Sequence, residues 1–511
     1  MRRSNVTSVD GLSSSGPDHS ADNIVTAELP TEEKMSFRPQ QQNSNSSQYT
    51  DNYKFDGLTG WRRFRILRPG LGMYYDIRRR LPYYRSDISD AVTYRTVAST
   101  VRMYFPSTCL SLHVGYEPSN WWFLRNQRIT FSSALAAMVF STIAAQPLTI
   151  VGITGLISLF NYTIYDIIKM YDVSVYPQFM AWTAIWAAIW HWLVAIWNLC
   201  DYMRYVTDFS SEAFGMYVGI IYMIKGVEEL VSLFNSYGSV DGYLSCIIAI
   251  LYFGTVYTLE KLGRGTLAKP WARGILADYA YPIATIFWVG FSHIPGTIKR
   301  ANISVLPVSR SFYPTQPRNW LIDFWNLDVK WIFAAMPFGF LVMLLFYYDH
   351  NVSSLTAQAK QFPLKKPGGF HWDFFLLGCT TFIAGILGIP LPNGLVPQAP
   401  VHTESLTAYK TEVKIVATEE GSDNKIRHPI VRAASVVEQR VSHFLMGLGI
   451  IGFPILVCIL IPFRWAIMPR FFTVAELEVM DDLTANNKVV LASLGGAPKL
   501  HKESTPEEYR L

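Results

Sequence analysis

GIPLPNGLVPQAPVHTESLTAY, residues 388–409, decides how this chain is read. Pro390, Pro392, Gly394, Pro397 and Pro400 cannot all belong to one regular helix, because proline removes a backbone donor and clashes with the preceding turn. A second broken segment, AAQPLTIVGITGLISLFNYTIYDII, occupies 144–168. There a short β-branched stretch ends at Gly152 and Gly155, and only then does a helical pattern begin. Both segments read as an extended stretch feeding a half-helix. Extended backbone inside an apolar run is tolerated only where protein or a water-filled cavity satisfies it. Paired Gly/Pro-interrupted segments point to a midplane binding site in a transporter. A half-helix start offers free N–H groups and the positive end of a dipole, which suit an anion. Either segment alone would also fit an ordinary Pro-kinked helix; the pair favours a site.

Working outward, the 511 residues are 50% hydrophobic and only 16% charged, where soluble domains carry about a quarter charged residues. Charges crowd into the first ~95 residues, short loops and the tail, leaving runs long enough to span a ~30 Å hydrocarbon layer. The 15 Trp and 28 Tyr suit an interfacial aromatic belt. Buried helices of a large soluble protein seldom repeat as charge-free runs of this length. The net charge of +5 does not argue for nucleic acid, because the basic residues flank apolar runs. The five cysteines, Cys109, Cys200, Cys246, Cys379 and Cys458, have neither metal nor disulfide spacing. No nucleophile–base arrangement or phosphate loop is present. The reading is therefore of a non-enzyme with no cofactor and no metal.

Four regions follow. Residues 1–60, rich in Ser, Asn, Gln and Asp, are expected to be disordered, and their start MRRSNVTSVDGLSSSGPDHS lacks the apolar core of a secretory signal. Residues 61–95, opening WRRFRILRPGLGMYYDIRRR, form a basic amphipathic segment suited to an anionic cytoplasmic membrane surface. Residues 96–470 hold about eleven apolar segments: near 98–116, 129–145, 148–168, 178–200, 210–234, 242–260, 278–297, 330–348, 372–390, 394–409 and 443–468. Residues 471–511 read as a polar C-terminal tail. Basic loops at 261–274, 359–369 and 410–432 fall on the side of the basic N-terminus, which the positive-inside rule makes cytoplasmic. The sequon at Asn302 then faces outside, used or unused, and the one at Asn161 should be inaccessible. Asp349, placed at the end of the eighth segment, is either a functional carboxylate or simply a hydrated helix end. His350 beside it either relays protons or is a satisfied interfacial histidine. Lys225 and Glu229, four apart, are expected to pair.

The segments QPLTIVGITGLISLFNYTIYDIIK, FYYDHNVSSLTAQ, GIPLPNGLVPQAPVHTESL and EQRVSHFLMG together resemble the bicarbonate/borate transporter (anion exchanger) family, most of all its fungal and plant borate exporters. The resemblance runs over roughly residues 55–485. It implies an all-α polytopic membrane protein with a 7+7 inverted-repeat fold, in which a core domain moves against a gate domain. It implies a site between two half-helices, with Thr154 and Gly155 at the first half-helix start, Asp349 as the acidic residue beside the anion, and Gln398 where chloride/bicarbonate exchangers carry an arginine. A neutral amide there suits a polyhydroxylated, weakly acidic solute better than a fixed guanidinium would. The partners implied are a small inorganic anion (borate, with bicarbonate or chloride as alternatives), membrane lipid and a homodimer through the gate. The membrane implied is the plasma membrane, with the vacuolar membrane as the alternative.

Three departures from the family pattern are visible. The first apolar segment is short and contains Arg102, Pro106 and His113. Leu156 stands where the family has proline. Between EQRVSHFLMG and GFPILVCILIPFRWAIMPRFF about a hundred residues of the family pattern are absent, which implies an incomplete version of the fold and a C-terminal tail on the outside. A short form of this kind could transport, or could serve only as a membrane partner of full-length copies.

Overall fold

The computed structural model describes residues 65–113, 126–237, 239–265, 269–296, 320–359, 366–407, 461–473 and 488–495, with a few positions between these stretches. The expected tail 1–60, the Asn302 sequon, the 410–432 link, EQRVSHFLMG, most of the 443–468 run and Cys458 lie outside them. So do the side chains of Cys109, Lys225 and Glu229.

In chain order the elements are α1 (Leu71–Arg80), α2 (Tyr84–Asp90), α3 (Tyr94–His113), α4 (Asn126–Ile143), β1 (Val151–Gly152), α5 (Gly155–Lys169), α6 (Tyr176–Ile196), α7 (Asp208–Tyr237), α8 (Ser239–Arg264), α9 (Pro270–Asp278), α10 (Ala280–Ser292), α11 (Val329–Ala357), α12 (His371–Leu387), β2 (Asn393–Gly394), α13 (Gln398–Leu406) and α14 (Lys488–Ser493). Among the described residues, three stretches are each long and apolar enough to cross a membrane: Val173–Ile196, Asp241–Gly263 and Val329–Ala357. The pair α9 and α10, bent by 66° at Tyr279, makes a fourth when taken together. The first apolar segment, despite its interruptions, is a 20-residue helix, and its Arg102 is neutralised by Glu260 of α8 at 3.7 Å.

At the centre stands α6, YPQFMAWTAIWAAIWHWLVAI. A helix that is apolar on every face belongs inside a bundle, and α11 and α12 pack along it. Small residues let the backbones close, the usual basis of helix association in an apolar medium. A Cβ at Gly339 of α11 would lie 2.8 Å from the Thr183 carbonyl and 2.9 Å from the Ala187 amide nitrogen, both on α6. Indoles finish the contact: Trp182 Nε1 donates to the Phe324 carbonyl at 2.7 Å and Trp186 Nε1 to the Ile332 carbonyl at 2.9 Å. A second, smaller apolar cluster joins α8 to α10 through Val256, Ala280 and Ala284.

α11 corrects one expectation. The sequence ends this segment near 348, but the helix runs nine residues further, to Ala357. The run NVSSLTA looks like a hydrated helix end. Inside the protein its polar groups turn back on the helix: Asn351 Nδ2 donates to the Tyr347 carbonyl at 2.7 Å and Thr356 Oγ1 to the Val352 carbonyl at 3.0 Å. Asp349 is therefore mid-helix and 3% exposed, not a hydrated end.

The basic amphipathic segment and the 359–369 loop meet. Lys366 reaches Asp87 at 2.9 Å and Asp90 at 2.8 Å, Arg80 pairs with Asp87, and Arg80 Nη1 donates to the Pro367 carbonyl at 3.3 Å. Asp76 of α1 caps α12 from nearly three hundred residues away. One carboxylate oxygen takes the amides of Phe370 (3.0 Å), His371 (2.8 Å) and Trp372 (3.2 Å), and the other pairs with Arg79. Burial alone would push the Asp76 carboxyl up. The His371 ring, the Arg79 charge and the Trp372 amide outweigh that and hold it below the ordinary 3.8.

The C-terminal residues correct a second expectation, that the tail lies on the far side from the N-terminal segment. Val490 and Leu494 are buried, the Gly495 carbonyl accepts from Arg204 at 3.1 Å, and Gly495 packs against the Arg65 side chain. Arg65 in turn pairs with Asp201 at 3.0 Å. Residues at both ends of the described chain thus share one end of the molecule.

Candidate functional site

The two broken segments find each other. Val151 pairs with Gly394 and Gly152 with Asn393 in a two-stranded antiparallel ladder, so the architecture is not purely helical. The Leu395 amide adds a bond to the Ile150 carbonyl at 2.9 Å. Two adjacent serines on α4 supply the rest: Ser132 Oγ donates to the Pro390 carbonyl at 2.6 Å, and Ser133 Oγ accepts from the Ile153 amide at 3.2 Å. Each extended stretch is thus satisfied by the other and by α4, as backbone at membrane depth requires. Tight packing leaves no room for larger residues at β2. A Cβ on Gly394 would sit 2.9 Å from the His350 Cα.

Each strand feeds a short helix. Thr154, extended at φ −101° and ψ 152°, is the N-cap of α5, and its side chain accepts from the Ile157 amide at 3.5 Å. Gly155 is the first helical residue, as expected from the sequence. On the other side α13 begins at Gln398; its nine residues rise about 13 Å, too short to cross a bilayer. The Gln398 side-chain oxygen is buried without a hydrogen-bond partner. Because β1 and β2 pair, the starts of α5 and α13 lie within a few residues of the same ladder.

Asp349 closes the constellation. Its carboxylate accepts from Asn393 Nδ2 at 2.6 Å, and no ion pair to it is present among the described residues. A buried carboxylate held by a neutral amide is costly and is a mark of function in a membrane segment. The Asn393 carbonyl oxygen is itself unpartnered. His350 is neither satisfied nor interfacial. It is 1% exposed, both ring nitrogens lack partners, and its ring packs edge-on against Phe140 with centroids 5.4 Å apart. From α7, the half-buried Tyr222 reaches over the start of α5. A Cβ on Gly155 would lie 2.7 Å from its ring, the Gly155 amide faces its hydroxyl, and the Asp349 charge is felt there.

The structure therefore brings Thr154, Gly155 and Asp349 to one place and sets Gln398 at the facing half-helix start. Sequence reasoning missed Asn393 as the partner of Asp349 and missed Tyr222 altogether. Asn393 lay inside the quoted broken segment and could have been singled out. Tyr222 sits in an unbroken apolar helix, IIYMIKG, with nothing to mark it. Asn161 is fully buried, as its apolar surroundings imply.

Helices long enough to cross a bilayer around a pair of strand-fed half-helices with a buried carboxylate define a polytopic membrane carrier. The comparisons with known proteins agree. The family model described as the HCO3- transporter integral membrane domain matches residues 68–242 and 239–451, and the chain belongs to that family. A transporter of Schizosaccharomyces pombe is 41% identical over 381 residues, 74% of this chain and 71% of its own length. Boron transporter 1 of Saccharomyces cerevisiae is 38% identical over 415 residues, 78% of this chain and 68% of its own. Band 3 anion transport protein of Rattus norvegicus is 24% identical over 418 residues, 75% of this chain and 43% of its own. The chain is an integral membrane transporter of the anion-carrying kind.

Proposed function

We propose that this chain moves borate or boric acid, as a boron exporter, by alternating access. The observation that carries this is the pairing of two half-helix starts around a buried Asp349 with neutral amides, Asn393 and Gln398, in place of a cation. Amide and hydroxyl groups both donate and accept, which matches a solute rich in hydroxyls. In the roles we assign, the Gly155 amide and the α5 dipole face the oxygen that carries developing charge. Thr154 fixes the start of that helix. Asp349 and the free Gln398 oxygen accept from solute hydroxyls. The similarity to the boron transporter of Saccharomyces cerevisiae supports this cargo.

The same reading takes 61–95 as a cytoplasmic surface segment and 96–470 as the transport domain. It takes α4–α6 and α11–α13 as a core that moves against a gate containing α7–α10, on the plan of seven-helix inverted repeats. The plasma membrane is the site of action we infer. The relation to Band 3 keeps bicarbonate/chloride exchange as the second reading. Expression in a host lacking its own boron exporter tests the choice: restored boron tolerance with falling cell boron is expected. Chloride-dependent pH change without boron efflux would transfer the assignment to bicarbonate.

A further inference from the structure

Tyr222, half-buried on α7, packs against the main apolar cluster and also carries a hydroxyl. Its ring lies against the first residue of α5, a contact only glycine permits, since a Cβ on residue 155 would be 2.7 Å from the ring edge. The first amides of a helix have no acceptor within it. At the α5 start the Ile157 amide is engaged by the Thr154 side chain at 3.5 Å, and the first ordinary helix bond runs from the Ser158 amide to the Thr154 carbonyl at 3.3 Å. The Gly155 amide instead faces the Tyr222 hydroxyl, beside the Asp349 carboxylate. A phenol is a neutral, weakly acidic hydroxyl that donates and accepts. It is the side chain most like one arm of a polyhydroxylated solute. It arrives from α7, which packs on the core through Phe214, Val218 and Ile221 and is held to α11 where the Tyr348 hydroxyl donates to the Ser210 carbonyl at 3.0 Å.

We propose that Tyr222 is the protein's own stand-in for a solute hydroxyl: its phenol engages the Gly155 amide and yields that place when the solute binds. This rests on the site reading above and adds to it a residue that sets apparent affinity. An internal ligand that must leave lowers the fraction of binding-competent protein, so apparent affinity falls by that fraction. Because Tyr222 stands on α7 while Gly155 starts α5, its departure also ties solute loading to the contact between those two helices.

The test uses the full chain in lipid nanodiscs and in cells, with Tyr222→Phe, which keeps the ring and its packing. Hydrogen exchange at residue 155 is the first arm. The amide should exchange about fivefold faster in the variant, the loss of one ordinary hydrogen bond. An unchanged rate overturns the proposal. The concentration dependence of borate efflux is the second arm. The KM should fall about three- to tenfold, with the maximal rate within about twofold of wild type. An unchanged or raised KM overturns the proposal, a raised one meaning that Tyr222 binds the solute directly. If the unaltered protein moves no borate, the cargo assignment alone fails. The exchange arm still decides the contact, and the KM arm is then run with bicarbonate.

Discussion

Replacing Asp76 with asparagine tests the long-range tie between α1 and α12. The carboxylate does two things at once. One oxygen takes three amides at the start of α12, and the other pairs with Arg79, whose side chain is 7% exposed. Asparagine keeps one acceptor for the three amides, so weakening of that cap costs about 1 kcal/mol or less. Removing the charge paired with buried Arg79, which keeps its bond to the Tyr75 carbonyl at 3.1 Å, costs about 3–5 kcal/mol. The three amides share one acceptor, so these costs do not add fully. A total of about 3–5 kcal/mol is expected, or a fall of about 5–10 °C in the melting temperature of the cooperative unit. Scanning fluorimetry of detergent-purified protein reads this, and faster amide exchange at 370–372 should accompany it. On the acid side the sign of the pH dependence is fixed by the depressed carboxyl. Its contribution is complete above the ordinary carboxylate value of 3.8 and is lost as pH falls through the lower folded value. Burial alone would push the His371 ring down, but Asp201 and Asp76 outweigh that, favour its protonated form and hold it above its ordinary 6.5. The gap between variant and wild type should therefore narrow as pH rises and that ring loses its proton. As a control, Lys366→Ala removes only partly exposed pairs and should cost no more than about 1 kcal/mol. An Asp76→Asn variant that melts within a degree of wild type would refute the reasoning.

Other substitutions follow from the ladder and its supports. Gly394→Ala places a Cβ 2.9 Å from the His350 Cα, so folded protein recovered from membranes should drop severely; normal yield would mean that β2 can move away from α11. Ser132→Ala strands the Pro390 carbonyl and should cost about 1–3 kcal/mol in thermal stability while also reducing efflux. Both polar atoms of Asn161 are buried without partners, so Asn161→Leu should raise stability by about 1 kcal/mol, and the wild-type residue should carry no glycan.

Hydropathy and the Gly/Pro breaks made the helices and the two half-helices legible, because a charge-free run and a proline cluster are local signals. What joins them was not. A two-residue ladder has no period to read, and β1 and β2 are separated by more than two hundred residues. Asp76 looked like one charge among several in a basic segment, yet it starts a helix nearly three hundred residues away. The site was legible at Thr154 and Gly155, where the helix start is written into the break. It was half legible at Asp349. The polar run that follows it reads as a helix end unless one knows that Leu395 lies alongside, where Ser353 Oγ donates to its carbonyl at 3.3 Å. Tyr222 gave no sign, since its meaning comes only from α7 crossing the α5 start.

The central claim is that the half-helix pair around Asp349 carries boron across the membrane. Its most direct test is cell boron in an exporter-deficient host expressing wild type or Asp349→Asn, with surface abundance matched. The substitution keeps the side chain's shape and an acceptor for Asn393 Nδ2 but removes the charge. We expect wild type to lower cell boron and the variant to leave it at the level of the empty host. Equal efflux from both proteins would contradict the account.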